Sequence, residues 1–190
     1  MFSHRIDGRT ELRPPALEYA EEVTAVVRRN LAYLREWMPW ATEAYSVEDA
    51  REFIQRSRRQ FADNQGLATS ILHDGRFAGT IGLNTINWQD RKADLGYWLD
   101  AELQGRGIIT RSCRAIVGHA FGDLRLNRIE IYCGVGNARS RAVPLRLGFR
   151  EEGLLRQAEW LHDHYVDLVL YALNADEWKE KAGAGRRVPG

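Results

Sequence analysis

Lysine is nearly missing from this chain of 190 residues: Lys92, Lys179 and Lys181 stand against 24 arginines. Codon preference in a GC-rich genome accounts for that bias as well as phosphate holding does, and the total does not separate the two. An excess of one charge is missing too. The 27 cationic side chains face 26 carboxylates, a formal net charge of +1. That balance excludes a bulk nucleic-acid binder, so no direct nucleic-acid partner is expected. Cysteine is limited to Cys113 and Cys133, neither in a C-x-x-C nor beside metal-spaced histidines. The five histidines do not recur at ligand spacing, and His162 and His164 flank Asp163 in what reads as a strand. A reducing, cytoplasmic setting without structural metal is expected. No apolar run approaches membrane-spanning length, and residues 1–9 contain no apolar h-region, so neither a membrane nor a secretory signal is expected.

What is present has an ordinary globular composition, 44% apolar and 28% charged. The length suits one domain with a sizeable core. Residues 1–178 are expected to form it, with a flexible tail over 179–190. Pro14 and Pro15 open a helix carrying Ala16, Ala20, Val23 and Val27 on one face. A short segment over 30–37 ends before Pro39. Ser46 reads as an N-cap, with Glu48 and Asp49 in the first turn of a helix that buries Val47, Ala50, Ile54 and Phe61. Beyond Gly66 the period becomes strand-like. Segments 67–72 and 77–83 form a hairpin about a turn at 73–76, and 93–99 is a further strand. A helix over 108–121 faces Ile109, Cys113, Ile116, Val117 and Ala120 inward. A strand at 129–135, a short helix at 140–147 and strands at 149–155 and 165–173 complete an α/β (α+β) order with a mixed sheet.

Between the strand at 93–99 and its helix lies a glycine loop, Gln104-Gly105-Arg106-Gly107-Ile108-Ile109-Thr110. Glycines let backbone N–H groups converge on a ligand, and the helix start adds unsatisfied donors and positive potential. Together these make an anion cradle suited to a pyrophosphate. The loop is neither a P-loop, for no G-K-[ST] follows, nor a G-x-G-x-x-G fingerprint. Taken alone, the glycines fit a plain tight turn equally well.

A second block, Asn137-Ala138-Arg139-Ser140 leading to Leu147-Gly148-Phe149, follows the strand at 129–135. The two blocks at this separation resemble motifs A and B of the GNAT superfamily of N-acetyltransferases. Within it they are similar to the RimJ/RimL type, which acetylates protein α-amino groups. Asn127-Arg128, Glu152-Gly153 and the segment 30–40, with Asn30-Leu31 and Trp37-Met38-Pro39-Trp40, extend the resemblance over roughly residues 9–173. Two departures stand out. Motif A ends on Gly or Ala, where this chain has Ile109, a change the RimJ/RimL type accepts. Many members carry a tyrosine four residues before the motif B glycine to protonate the thiolate. Here that position is Pro144, which excludes tyrosine acid catalysis from it.

The resemblance implies a single-domain GNAT fold, a mostly antiparallel sheet with a central splayed parallel pair, flanked by helices. It implies acetyl-CoA as co-substrate, with pantetheine along the strand at 95–99. The diphosphate would sit on the N–H groups of Gln104, Gly105, Arg106, Gly107, Ile108, Ile109 and Thr110. An oxyanion donor is expected on the strand near Trp98, and Trp98 and Leu99 are expected to bind the cofactor. Asn137 bonds pantetheine, or is a turn asparagine. Ser140 is the candidate acid, or caps a helix that Pro144 places near it, and the roles are compatible. Glu159 is the candidate base, directly or through water, or else a solvated loop carboxylate. Trp37, Trp40 and Trp160 wall a substrate groove, or pack the core. Cys113 reads as core, and with no Cys–His pair in view direct attack in a ternary complex is expected. The acceptor is a protein N-terminus, a ribosomal protein's above all, or alternatively a polyamine or aminoglycoside. A third reading is a non-catalytic acyl-CoA-binding module. The resemblance also admits a homodimer, on which the periodicity is silent.

By segment the charge is uneven. Residues 103–150, which hold both motifs, carry nine arginines against Asp123 and Glu130, while the flanks are mildly acidic. Codon preference explains why these cations are arginine, not where they sit. A local polyanion site and a cationic acceptor suit that division.

Overall fold

The centre of the molecule is a pair of parallel strands that part company halfway along. Strand β5 (Lys92–Leu99) pairs with β6 (Arg128–Gly134) only at Lys92↔Arg128, Ala93↔Ile129 and Asp94↔Glu130. Beyond Asp94 each strand keeps its other neighbour, so a gap opens between them. The structure, a computed structural model, describes residues 2–184, with side chains through Lys179. Eight strands run in the order β1-β2-β3-β4-β5-β6-β8-β7, antiparallel except at β5–β6. The remaining strands are β1 (His4–Arg5), β2 (Thr10–Arg13), β3 (Leu67–His73), β4 (Arg76–Asn87), β7 (Arg150–Leu161) and β8 (His164–Asn174). The expected mixed, mostly antiparallel sheet with a splayed parallel pair is present.

Among the described residues six α-helices flank it: α1 (Ala20–Arg29), α2 (Leu31–Arg35), α3 (Val47–Ala62), α4 (Ile108–Gly122), α5 (Ala138–Leu147) and α6 (Ala175–Ala184). Strand alternation splits the core across two faces. Val23, Val27, Leu34, Ala50 and Ile54 of α1–α3 pack on Leu72, Phe77 and Trp98. Neighbouring Ile71, Ala78 and Leu99 turn the other way, to Ile108, Ile116 and Val117 of α4. Local chemistry agrees with this layout. A reciprocal capping box joins Ser46 and Asp49 at the start of α3. Asp74 (φ 51°) and Gly75 (φ 77°) form the two-residue turn between β3 and β4.

Several boundaries differ from the sequence reading. Strands β1 and β2 carry no strand signal in the sequence, being two and four residues long and polar except at Leu12. Pro14 and Pro15 precede rather than open the helix, which starts through a 3-10 turn at Leu17–Tyr19. His162 (φ 58°) and Asp163 form the β7–β8 turn and His164 opens β8, so the two histidines do not share one strand. Ile108 takes the buried place expected for Ile109, which is half-buried. Helix α6 occupies the first part of the segment expected as a tail, and residues 185–190 lie outside the described residues.

Candidate active site

A cleft of about 1050 Å³ occupies the mouth of the β5–β6 gap. Ligands of open α/β sheets bind at such carboxyl ends of diverging strands. Its walls include Tyr97, Trp98 and Leu99 of β5, the loop and first turn of α4, the first turn of α5, and Tyr33, Glu36, Trp37 and Met38 from and after α2.

The glycine loop turns its amides outward. Gly105 (φ 76°) and Gly107 (φ 71°) both adopt left-handed conformations, alternating with ordinary residues as in an anion nest. The Gln104 N–H is spent on the Ala101 carbonyl at 3.2 Å, contrary to its expected part in the anion site. The N–H groups of residues 105–110 have no protein acceptor among the described residues, and Arg111 N–H returns to Gly107 O. The cradle therefore comprises residues 105–110. The Arg106 side chain donates back to Glu102 O and is absent from the cleft wall. Arg111, Arg139 and Arg146 do line it, and Glu36 is the one carboxylate among the described lining residues. Arg139 spans the mouth, donating to Gln104 Oε1 at 2.8 Å.

A buried polar knot fixes the loop to α1. Asp100 Oδ1 accepts from Asn30 Nδ2 at 3.0 Å, Asp100 Oδ2 pairs with Arg29, and Asn30 Oδ1 accepts from Ala101 N–H at 3.0 Å. Burial pushes the Asp100 carboxyl upward, but the Arg29 and Asn30 bonds outweigh it and hold the group below its usual range. Asn30→Ala would leave the buried Asp100 Oδ1 only the long Glu102 N–H bond at 3.4 Å and would strand the Ala101 N–H. An urea-unfolding loss of about 2–4 kcal/mol is expected.

The gap-facing amides follow from pairing. Asp100 N–H donates to Ala78 O at 2.7 Å across to β4, so by alternation Trp98 also turns its N–H and C=O to β4. Those of Tyr97 and Leu99 face the gap, and the Leu99 carbonyl accepts the Tyr33 hydroxyl. The Trp98 N–H is thus spent on β4, and the backbone donors beside it that face the gap belong to Tyr97 and Leu99. The Trp98 ring packs on the opposite face, against Trp40 and Phe77.

Helix α5 starts two residues earlier than expected. Its cap is Asn137, whose Oδ1 accepts from Ser140 N–H at 3.0 Å, so Ser140 does not cap it. Pro144 lies inside the helix rather than in its first turn. Freed from capping, Ser140 Oγ sits 3.3 Å from both Tyr97 Oη and Cys133 Sγ. Burial raises the thiols of Cys113 and Cys133, keeping both protonated.

Of the three tryptophans, Trp37 lines the cleft, lying so close to the β6–α5 connection that a Cβ on Gly134 would come within 3.1 Å of its ring. Trp40 packs at a tilt against Tyr45 and Trp98, and Trp160 meets Tyr165 edge-on at the surface. Glu159 stands on β7 just past a bulge, opposite Val166, half-buried and outside the cleft lining. The bulge is set by Gln157 (φ 51°), whose N–H donates to Asp167 Oδ1 at 2.7 Å. Burial alone raises the Glu159 carboxyl above its ordinary value. Sequence reasoning does not single out Tyr33, Glu36, Tyr97 or Arg139: the first three lie outside the two motif blocks, and Arg139 fills a variable position of the second.

The family described as "Acetyltransferase (GNAT) domain" matches residues 9–150. The chain belongs to this family. It is 38% identical to Bacillus subtilis YdaF over 180 residues, covering 94% of this chain and 98% of that one. Against the ribosomal-protein-serine acetyltransferase of Escherichia coli it is 32% identical, covering 88% and 94% of the two chains. RimL, a ribosomal L7/L12 α-N-protein acetyltransferase solved with coenzyme A, superposes with TM-score 0.88 at 29% identity, covering 93% of this chain and 99% of RimL. The enzyme class and the RimJ/RimL resemblance read from the sequence both stand.

Proposed function

We propose that this acetyltransferase moves the acetyl group of acetyl-CoA to the N-terminal α-amino group of a protein, a ribosomal protein above all. Its near full-length similarity to proteins acting on ribosomal proteins carries that acceptor assignment. The amide row at 105–110 and the open β5 edge fit a long anionic cofactor with an amide-bearing arm. Bound there, acetyl-CoA supplies an activated thioester.

The chain's residues divide the remaining work. Glu159, directly or through water, takes a proton so that the amine attacks neutral. A gap-facing N–H of Tyr97 or Leu99 holds the oxyanion. As the C–S bond breaks, Ser140 Oγ–H gives its proton to the departing sulfur and regains one from solvent. Starting from the ammonium, the nitrogen loses two protons, one to Glu159 before attack and one once the N–C bond has formed. The thiol gains one and the other leaves to solvent, so the balance closes. Asn137 holds the first turn of α5 that carries Ser140. Buried free thiols and the match to ribosomal-protein enzymes support a cytoplasmic setting. Among the described residues no helix is long and apolar enough to cross a membrane.

Thiol release measured over N-terminal peptides, polyamines and aminoglycosides tests the assignment. Turnover with the peptides is expected. Turnover confined to small amines would replace the acceptor, and none on any amine would leave only a binding module. The cradle has its own test. A Cβ at Gly105 meets nothing within 4 Å, so Gly105→Ala acts purely through the left-handed backbone. A strain of about 1 kcal/mol predicts an acetyl-CoA KM raised about fivefold, with kcat little changed.

A further inference from the structure

Pro144 cannot donate the helical hydrogen bond that the carbonyl four residues back would accept, and that carbonyl belongs to Ser140. Tyr97 Oη, 43 residues away on β5, donates to it instead at 3.0 Å. The same phenol oxygen accepts from Ser140 Oγ at 3.3 Å. Two contacts to one residue, one to its main chain and one to its side chain, fix both the turn and the hydroxyl rotamer. Without them a serine in a first helical turn folds its hydroxyl back onto a local carbonyl. Cys133 Sγ, on β6, closes the third side of Oγ at 3.3 Å, so the group bridges the two parting strands at the cleft.

We propose that Tyr97 is the positioning residue for Ser140, holding its hydroxyl toward the gap by occupying the carbonyl that Pro144 leaves without a helical donor. The inference rests on the reading of Ser140 as the acid. Tyr97 itself gains and loses no proton. Burial pushes its phenol well above the ordinary value, so it remains a donor throughout the working range.

The test is a set of variants at Tyr97, Pro144 and Ser140, each measured for kcat, acetyl-CoA KM and melting temperature. Tyr97→Phe keeps the ring and is expected to lower kcat about 10- to 100-fold, with acetyl-CoA KM within about twofold. Pro144→Ala returns an N–H to the Ser140 carbonyl. Added to Tyr97→Phe, it is expected to restore the melting temperature without restoring kcat. In a Ser140→Ala background, Tyr97→Phe is expected to cost no further rate. Recovery of kcat together with stability in the Tyr97→Phe/Pro144→Ala enzyme would make the tyrosine a structural prop and overturn the proposal. So would unchanged kcat in Tyr97→Phe when Ser140→Ala is impaired, a result that leaves the acid assignment intact. Full turnover in Ser140→Ala would instead remove that assignment, and the proposal with it.

Discussion

Replacing Ser140 with alanine is expected to lower kcat by about 10²–10³-fold while acetyl-CoA KM stays within about twofold. The split follows from the geometry. The amides of residues 105–110 and the gap-facing edge of β5, proposed to hold the cofactor, offer main-chain groups that the substitution does not touch. Asn137 still caps α5, because its partner is the Ser140 backbone N–H. What is lost is the hydroxyl between Tyr97 and Cys133, needed when the thiolate departs. A helix-capping serine would give the opposite signature, lower stability with kcat unchanged. Stopped-flow thiol detection and a melting curve on the same preparation separate the two.

Glu159→Gln is expected to reduce kcat/KM at neutral pH by about 10²-fold and to remove the acidic limb of its pH profile. Burial raises the Glu159 carboxyl, and no cation is among the causes of its shift. The base form is therefore present above that raised value and lost as pH falls through it. The wild-type limb should sit above the range of an ordinary glutamate, about 4.3. Stability runs the other way. A carboxyl raised by burial costs folding free energy once ionised, so the glutamine enzyme should melt no lower than wild type at neutral pH and higher if anything. A less active enzyme that is not less stable marks a residue retained for chemistry. A pH profile whose acidic limb survives the substitution would assign that limb elsewhere. Glu36, the carboxylate on the cleft wall, would be the next residue to change.

The parts of this site legible in the sequence are those built from neighbours in the chain. The glycine loop needed two left-handed residues beside a helix start, and Gly105 and Gly107 announced both. Asn137 and Ser140 were visible as a polar pair before a helix. Which of them capped it was not, because Pro144 suggested a later start. A proline is tolerated inside α5 because Tyr97 serves the carbonyl that it strands, a contact across 43 residues. Tyr33 on Leu99 and Asn30 on Asp100 reach across 66 and 70 residues, and only strand order brings them together. Which β5 amides face the gap is not legible in the sequence, because it depends on the pairing of β5 with β4. Strand β7 was read short because its bulge between Leu155 and Glu159 breaks the alternation that marks a strand.

The most direct test of the account is the position of the transferred acetyl group. The enzyme is incubated with acetyl-CoA and a peptide that copies a ribosomal-protein N-terminus and contains one internal lysine, and the product is mapped by tandem mass spectrometry. The account predicts a single acetyl on the α-amino nitrogen, matched one for one by released thiol. Acetyl found on the lysine alone, or a peptide left untouched while a polyamine is acetylated, would contradict it.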